Sequence, residues 1–120
     1  MSYHLKSMGL RRNIFASICM IGIAMTNIAF AQTETPILTI ASLYTGWNDD
    51  TFAIKTDSTI LNPANCSTPD SYAANISSAG YKTHLAAALL AYASAKQLVV
   101  VISNSDCTSA RPRIIGISLK

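Results

Sequence analysis

The sequence predicts an α+β domain that is mainly β, in which one helix covers a small curved antiparallel sheet. Two observations carry this prediction. Short stretches of apolar and β-branched residues, either alternating or continuous, occur before and after one alanine-rich segment. The alanine-rich segment instead repeats its apolar residues at helical spacing. An order of strands, one helix and further strands is typical of the α+β class.

The first two strands are predicted to form a hairpin. Residues 37–44 are apolar and β-branched in near-alternation, which favours a strand, and residues 45–49 are rich in turn-forming types. Residues 51–56 follow as the second strand, in which Phe52 and Ile54 share one face.

The remaining elements follow a loop predicted at residues 57–70, where two prolines interrupt the chain. A short strand is expected at residues 72–76, and a continuous β-branched run at residues 98–102 predicts a strand buried on both faces. Residues 104–112 are expected to be a loop, and residues 113–119 a final strand. The residues that recur at helical spacing between these strands are Tyr81, Leu85, Ala88, Leu89 and Tyr92.

The amino-terminal segment has the three parts of an export signal. Three basic residues precede an apolar run at residues 14–25, and Ala29 and Ala31 then occupy positions −3 and −1 of a cleavage site. We therefore expect residues 1–31 to be a bacterial Sec-type signal peptide, with cleavage after Ala31, and residues 32–120 to be one secreted or periplasmic domain. The alternative is an uncleaved signal anchor, because the uncharged stretch around this run is long enough for the roughly 20 residues that span a bilayer.

Charge argues against nucleic acid as a partner. The net charge of +3 equals the contribution of Lys6, Arg11 and Arg12, and the other six basic residues match the six acidic ones. Residues 32–120 are therefore near neutral. We expect no nucleic-acid partner and, after signal cleavage, no membrane partner, since neither attraction would have an electrostatic source.

Two cysteines, Cys66 and Cys107, remain beyond the predicted leader. In an oxidising compartment an even pair predicts a disulfide. Metal ligation is the alternative, but two distant thiols and one histidine lack the spacing of a zinc site. We expect neither a metal nor an organic cofactor.

The candidates for catalysis are weak. His84 is the only histidine beyond the leader, and it lies in the alanine-rich segment with no sign of a nucleophile and an orienting acid beside it. Asp49 and Asp50 would serve as an acid–base pair or a cation site, but turn chemistry explains them better. We expect a non-enzymatic protein, with a small hydrolase as the weakest alternative.

The predicted hairpin turn carries the candidate ligand-binding residues. Trp47 stands between Tyr44 and two polar residues, Asn48 and Asp49. Carbohydrate sites use an aromatic ring against the C–H face of the sugar and polar neighbours against its hydroxyls. The competing interpretation is that Trp47 packs over the small core or at a subunit contact.

A second candidate is the pair of arginines in Arg111-Pro112-Arg113. A guanidinium group binds carboxylate or phosphate through a planar fork of N–H donors. Two basic residues around a proline at the start of a strand are also common on a solvated edge, so the sequence leaves both interpretations open.

A family resemblance rests on segments spread along the chain. Cys66, the helix LAAALLAY at residues 85–92, the stretch KQLVVV at residues 96–101, Cys107 and RIIGI at residues 113–117 resemble small secreted single-disulfide proteins of Gram-negative bacteria. The order of these elements is also similar to the B subunits of subtilase-type and pertussis-like AB5 toxins. That resemblance implies a five-stranded OB-like barrel with one helix, ring-shaped homo-oligomers and recognition of cell-surface glycans.

The chain departs from those B subunits in two ways. They often carry more than one disulfide, and no residue of their sugar pockets matches a position here. The sequence therefore predicts a secreted, non-enzymatic binding module, glycan-binding and oligomeric like an AB5 B subunit. A periplasmic structural or inhibitor-like protein that binds another protein is the alternative.

Overall fold

The computed structural model describes residues 31–46 and 49–120. Apart from Ala31, the predicted leader lies outside the described residues, and so do Trp47 and Asn48. Six strands and one helix occur in the described part of the chain, and the predicted mainly β form of the α+β class is confirmed. The elements are β1 (Gln32–Glu34), β2 (Ile40–Gly46), β3 (Thr51–Thr56), β4 (Tyr72–Asn75), α1 (Tyr81–Ser94), β5 (Leu98–Thr108) and β6 (Arg111–Leu119).

The strands form one mixed sheet in the order β1-β5-β6-β4-β3-β2. Every neighbouring pair is antiparallel except β4 and β6, which run parallel where Ala73 lies beside Arg113. Of the two forms expected, the curved sheet with one helix is present. A closed five-stranded barrel and a wholly antiparallel sheet are not, because β4–β6 is parallel and the hydrogen-bonded ladder stays open.

The two edge strands, β1 and β2, are consecutive in the chain. Between them Leu38 exchanges two hydrogen bonds with Leu98 on β5, while the carbonyl of Thr39 accepts one from the N–H of Asp57 beyond β3. Adjacent residues thus bond to opposite ends of the sheet. The chain itself therefore passes from one edge of the sheet to the other at this point.

The core lies between the concave side of this sheet and α1. The predicted alternation of β3 is confirmed, since Phe52 and Ile54 are fully buried in the core. Tyr81 at the start of α1 packs on Phe52 with ring centroids 5.5 Å apart. The other buried apolar residues of this cluster are Leu38, Ile40, Tyr72, Ala74, Ala88, Ala91, Leu98, Val100, Ile102 and Ile114.

The residues that α1 buries against the sheet are small alanines. Ala88 and Ala91 are buried, whereas Leu89, Leu90 and Tyr92 are each about half exposed. Helical spacing alone does not identify the buried side here, because α1 is apolar almost all the way round. In the described residues no helix is long and apolar enough to cross a bilayer.

The loop expected at residues 104–112 is instead the end of a long β-hairpin. β5 continues to Thr108, and a two-residue turn at Ser109 and Ala110 leads into β6. Both turn residues have positive φ, 48° and 66°. This mirror-image turn matches the twist of a hairpin, although glycine or asparagine usually occupies it.

The predicted disulfide is confirmed. Cys66, in the loop before β4, is bonded to Cys107 near the end of β5, with the Cα atoms 5.8 Å apart. The bond therefore attaches the tip of the β5–β6 hairpin to the loop between β3 and β4.

Candidate functional site

One row of residues crosses the convex side of the sheet, away from the core. The strand register aligns Tyr44 on β2, Ala53 on β3, Ala73 on β4 and Arg113 on β6. Neither alanine has any exposed surface, although both lie on the side opposite Phe52 and Ile54. Three strand spacings of roughly 4.8 Å separate the two ends of the row by about 14 Å. Two small residues thus form a floor between a tyrosine and an arginine.

The tyrosine end of this row is held by its neighbours on the same face. The hydroxyl of Ser42 donates a hydrogen bond to the phenol oxygen of Tyr44 at 3.1 Å, and the Lys55 ammonium lies 5.5 Å from the ring centroid. The ring is partly exposed.

The arginine end opens into a polar pocket of about 310 Å³. Three segments that are distant in sequence meet there: the turn between β2 and β3, the end of β4 with the turn after it, and the tip of the β5–β6 hairpin. Pockets of roughly 300 Å³ and more are the usual size for small ligands. Its lining residues are Asp49, Asn75, Ser77, Ser78, Cys107, Thr108, Ser109 and Arg113.

Asn75 organises one side of the pocket. Its amide nitrogen donates to the Asp49 carboxylate at 3.1 Å and to the Thr51 hydroxyl at 2.9 Å. Its carbonyl oxygen accepts from the backbone N–H and the hydroxyl of Ser77, at 2.9 and 2.8 Å. Since the whole amide is engaged, Asn75 positions Asp49 and Ser77 rather than contacting a ligand itself.

The tip of the β5–β6 hairpin forms the opposite wall of the pocket, and several contacts hold it in place. Arg111 donates two hydrogen bonds to the Asp70 carboxylate, from Nε at 2.7 Å and Nη2 at 3.2 Å, and a third from Nη1 to the carbonyl of Ser109 at 2.9 Å. The N–H of Thr68 also donates to the carbonyl of Ala110 at 2.9 Å. With the disulfide, these contacts hold the strained turn in place, and strained backbone that is held this way is common at binding sites.

Arg113 is held much less tightly. Its Nη1 lies 3.7 Å from Oδ2 of Asp106, which is too far for a hydrogen bond. Its Nε is buried and has no hydrogen-bond partner among the described residues. A native protein pairs nearly all of its buried polar atoms, so this nitrogen marks a place where a partner is missing.

The structure brings together only part of the site predicted from sequence. Asp49 lines the pocket, and Tyr44 lies on the same side of the sheet but outside the lining. Trp47 and Asn48 lie outside the described residues. Sequence reasoning missed the amide and hydroxyl side chains that complete the pocket, Asn75, Ser77, Ser78, Thr108 and Ser109, since nothing in the local sequence indicates that these segments meet.

His84 has a structural environment. Its ring lies directly over Gly80, where an added Cβ would come within 2.5 Å of Nε2. Gly80 has a φ of 77°, so glycine suits this position both by conformation and by space. Burial lowers the pKa of His84, partly offset by a hydrogen bond to the backbone of Ala79. In the described part of the chain no group of acidic, histidine or cysteine side chains has the arrangement of a metal site.

Comparison with known proteins adds no relative. No protein-family model, no curated protein and no solved structure matches the chain. The function is therefore argued from the pocket and the fold.

Proposed function

We propose that this protein is a secreted, non-enzymatic binding module whose polar pocket takes a glycan. The observation that carries the proposal is the lining of the pocket: a carboxylate held by Asn75, several hydroxyls and a guanidinium group converge on about 310 Å³. Sugar hydroxyls need this mixture of donors and acceptors, whereas a drug-like ligand needs mainly apolar walls. The pinned hairpin tip and the Asn75 network keep these groups in place before a ligand arrives, which lowers the entropic cost of binding.

The fold supports the same proposal. If β1 and β2 are counted as two arms of one bent strand, the sheet has five strands, of which the third is parallel to the fifth. This arrangement fits an OB fold, a partly open five-stranded barrel. OB folds bind oligosaccharides through the loop between the first two strands and the loop between the last two. Those loops correspond here to the turn that holds Asp49 and the turn that holds Ser109, and both residues line the pocket.

Self-association is part of the proposal. Leu89, Leu90 and Tyr92 are exposed apolar residues of α1, and exposed apolar patches often mark an interface with another protein. A homo-oligomer, as the resemblance to AB5 B subunits implies, would present several pockets at once. Multivalency raises the avidity of a weak sugar site by orders of magnitude without any new contact.

Export is the remaining part of the proposal. The three-part pattern of residues 1–31 favours a cleaved signal peptide. The disulfide is compatible with an oxidising compartment such as the periplasm or the cell exterior. Mass spectrometry of the protein recovered from the producing cells tests this point, and the expected amino-terminal residue is Gln32.

A glycan array tests the binding function. We expect the purified protein to bind a defined set of glycans, and we expect Asp49→Ala and Ser109→Ala to weaken that binding at least tenfold. Trp47→Ala, two residues before Asp49 in the sequence, tests the aromatic contact predicted from sequence. Lys96→Ala, outside the pocket, is the control and should bind like the wild type. A folded oligomer with no glycan signal would contradict the proposal.

The exposed side of α1 also favours the alternative, a protein that binds another protein. Its experiment is a pull-down from periplasmic extract with wild type and a Leu89→Lys/Leu90→Lys variant. A single stoichiometric partner that is lost in the variant, together with an empty glycan array, would favour this alternative.

A further inference from the structure

We infer that Arg113 is the specificity-determining residue of the pocket and that it binds a single carboxylate group on the ligand. The ligand class is therefore an acidic sugar, a ring with hydroxyls and one carboxylate. This inference rests on the proposed glycan function and adds to it the chemical group that the pocket distinguishes.

The contrast with Arg111 provides the first step. Arg111 uses Nε, Nη1 and Nη2 in short hydrogen bonds to Asp70 and Ser109, so its donors are engaged within the fold. Arg113 lies two residues further along the same strand and lines the pocket. Its guanidinium group forms an ion pair with Asp106 at 3.7 Å, and its Nε is buried without a partner among the described residues.

The missing partner has a definite chemistry. A guanidinium group presents two parallel N–H donors to a planar acceptor, and a carboxylate matches that fork with two short charge-assisted bonds. A buried donor that lacks an acceptor destabilises the unliganded state, so an acceptor supplied by a ligand is favoured more than at a satisfied site. Among the described residues the guanidinium group has the contact to Asp106 at 3.7 Å and a buried Nε without a partner, so it is held less tightly than that of Arg111.

The surrounding charges argue for one negative charge rather than two. Asp49 lines the pocket, and Asp106 adjoins Arg113 and is largely exposed. A phosphate monoester, which carries close to two negative charges, would meet repulsion from both carboxylates. A carboxylate carries one charge and takes the place of Asp106 in the ion pair. The hydroxyls of Ser78 and Ser109 remain beside it to bond the hydroxyls of the sugar ring.

The experiment uses three matched probes: glucuronic acid, glucose and glucose 6-phosphate. Titration of the purified protein, followed by NMR, measures the dissociation constant of each. We expect glucuronic acid to bind at least about tenfold more tightly than glucose, and glucose 6-phosphate to bind more weakly than glucuronic acid. Arg113→Gln should weaken glucuronic acid binding at least about tenfold and glucose binding much less, so that the preference for the acid is lost. Lys96→Gln, which removes the same charge outside the pocket, should change neither.

A second variant supports the test if Arg113→Gln does not fold. Asp106→Asn removes the competing carboxylate, so it should tighten glucuronic acid binding severalfold with no effect on glucose. Equal binding of glucose and glucuronic acid, or an unchanged preference in both variants, would overturn the inference and leave the proposed function standing. Preference for glucose 6-phosphate would also overturn it. A folded protein that binds none of the sugars here and none on the array would overturn both.

Discussion

Two arginines on either side of Pro112 occupy opposite environments on one strand. Arg111 is mostly buried and makes three hydrogen bonds to groups brought by the loop before β4 and by the hairpin turn. Arg113 has a long ion pair to an exposed carboxylate and a buried Nε that lacks a partner among the described residues. Both belong to the short segment Arg111-Pro112-Arg113, and the difference comes from the segments that the fold places beside each of them.

Two arginines that lie two residues apart on β6 thus have different roles, a structural one for Arg111 and a binding one for Arg113. Arg111, Asp70 and the disulfide fix the hairpin tip and thereby fix one wall of the pocket. Arg113 lines the same pocket, but it lacks the short hydrogen bonds that fix Arg111 within the fold. A rigid frame beside an unsatisfied group is the arrangement that recognition of a small ligand requires.

Removal of the disulfide would have the largest effect on the frame. The bond closes a loop over a sequence separation of 41 residues, so the Cys66→Ser/Cys107→Ser variant should lose about 4 kcal/mol of unfolding free energy. Urea denaturation of oxidised wild type and the variant measures the loss. Reduced wild type is the matched control and should resemble the variant. A loss below about 1 kcal/mol would mean that the hydrogen bonds at the tip hold the frame without the disulfide.

Substitution of the two arginines should give the next largest change in unfolding free energy. Arg111→Gln should lower the unfolding free energy by about 1 kcal/mol, because it removes a bidentate bond to Asp70 and a bond to the Ser109 carbonyl. Arg113→Gln should stay within about 0.5 kcal/mol of the wild type, since it removes a long exposed ion pair. Thermal and urea denaturation of both variants check the pair. Equal losses would contradict the division between a structural and a binding arginine.

The sequence predicted the parts of this frame that leave a local signal. The alternation in residues 51–56 placed Phe52 and Ile54 on one face, which the structure buries in the core, and the even pair of cysteines identified the disulfide. The β5–β6 hairpin was missed because residues 104–108 are polar and because Ser109 and Ala110 are unusual in a mirror-image turn.

The last strand shows a second kind of limit. Simple alternation predicts one face for Ile115, Ile117 and Leu119, but Ile114 is the fully buried residue. Ile102 pairs with Ile114 and Val101 pairs with Gly116, so β6 carries one extra residue that changes the face. Gly116 is a weak marker of such a bulge, but its position and its effect on the buried face follow from the pairing of the two strands.

The pocket could be predicted only in part for the same reason. Asp49 was found because it lies in a turn beside aromatic and amide residues. Asn75 and Ser77 join it only because β4 lies between β3 and β6, and that order depends on the whole topology. Three short polar segments far apart in sequence carry no common pattern before the sheet brings them together.

The smallest expected effect is the pH dependence of the unfolding free energy that comes from the ion pair between Arg111 and Asp70. The hydrogen bond from Arg111 lowers the pKa of Asp70 below the ordinary aspartate value of 3.8, despite some opposing desolvation. The unfolded state therefore binds the proton more readily, and the stabilisation is present above pH 3.8 and is lost as the pH falls through the lower pKa of the folded state. Because the Asp70 side chain is 44 % exposed, we expect only about 0.5 kcal/mol at neutral pH.

Asp70→Asn measures this contribution when its unfolding free energy is compared with that of wild type from pH 7 downward. The difference should be constant at neutral pH and should shrink toward zero in acid, and 1 M salt should reduce it by screening. Asp106→Asn is the matched control, because its contact to Arg113 at 3.7 Å lacks the short hydrogen bonds of the first pair. A pH-independent difference for Asp70→Asn would show that Asp70 acts through packing rather than charge, and the frame would then depend on the disulfide and the backbone bond from Thr68.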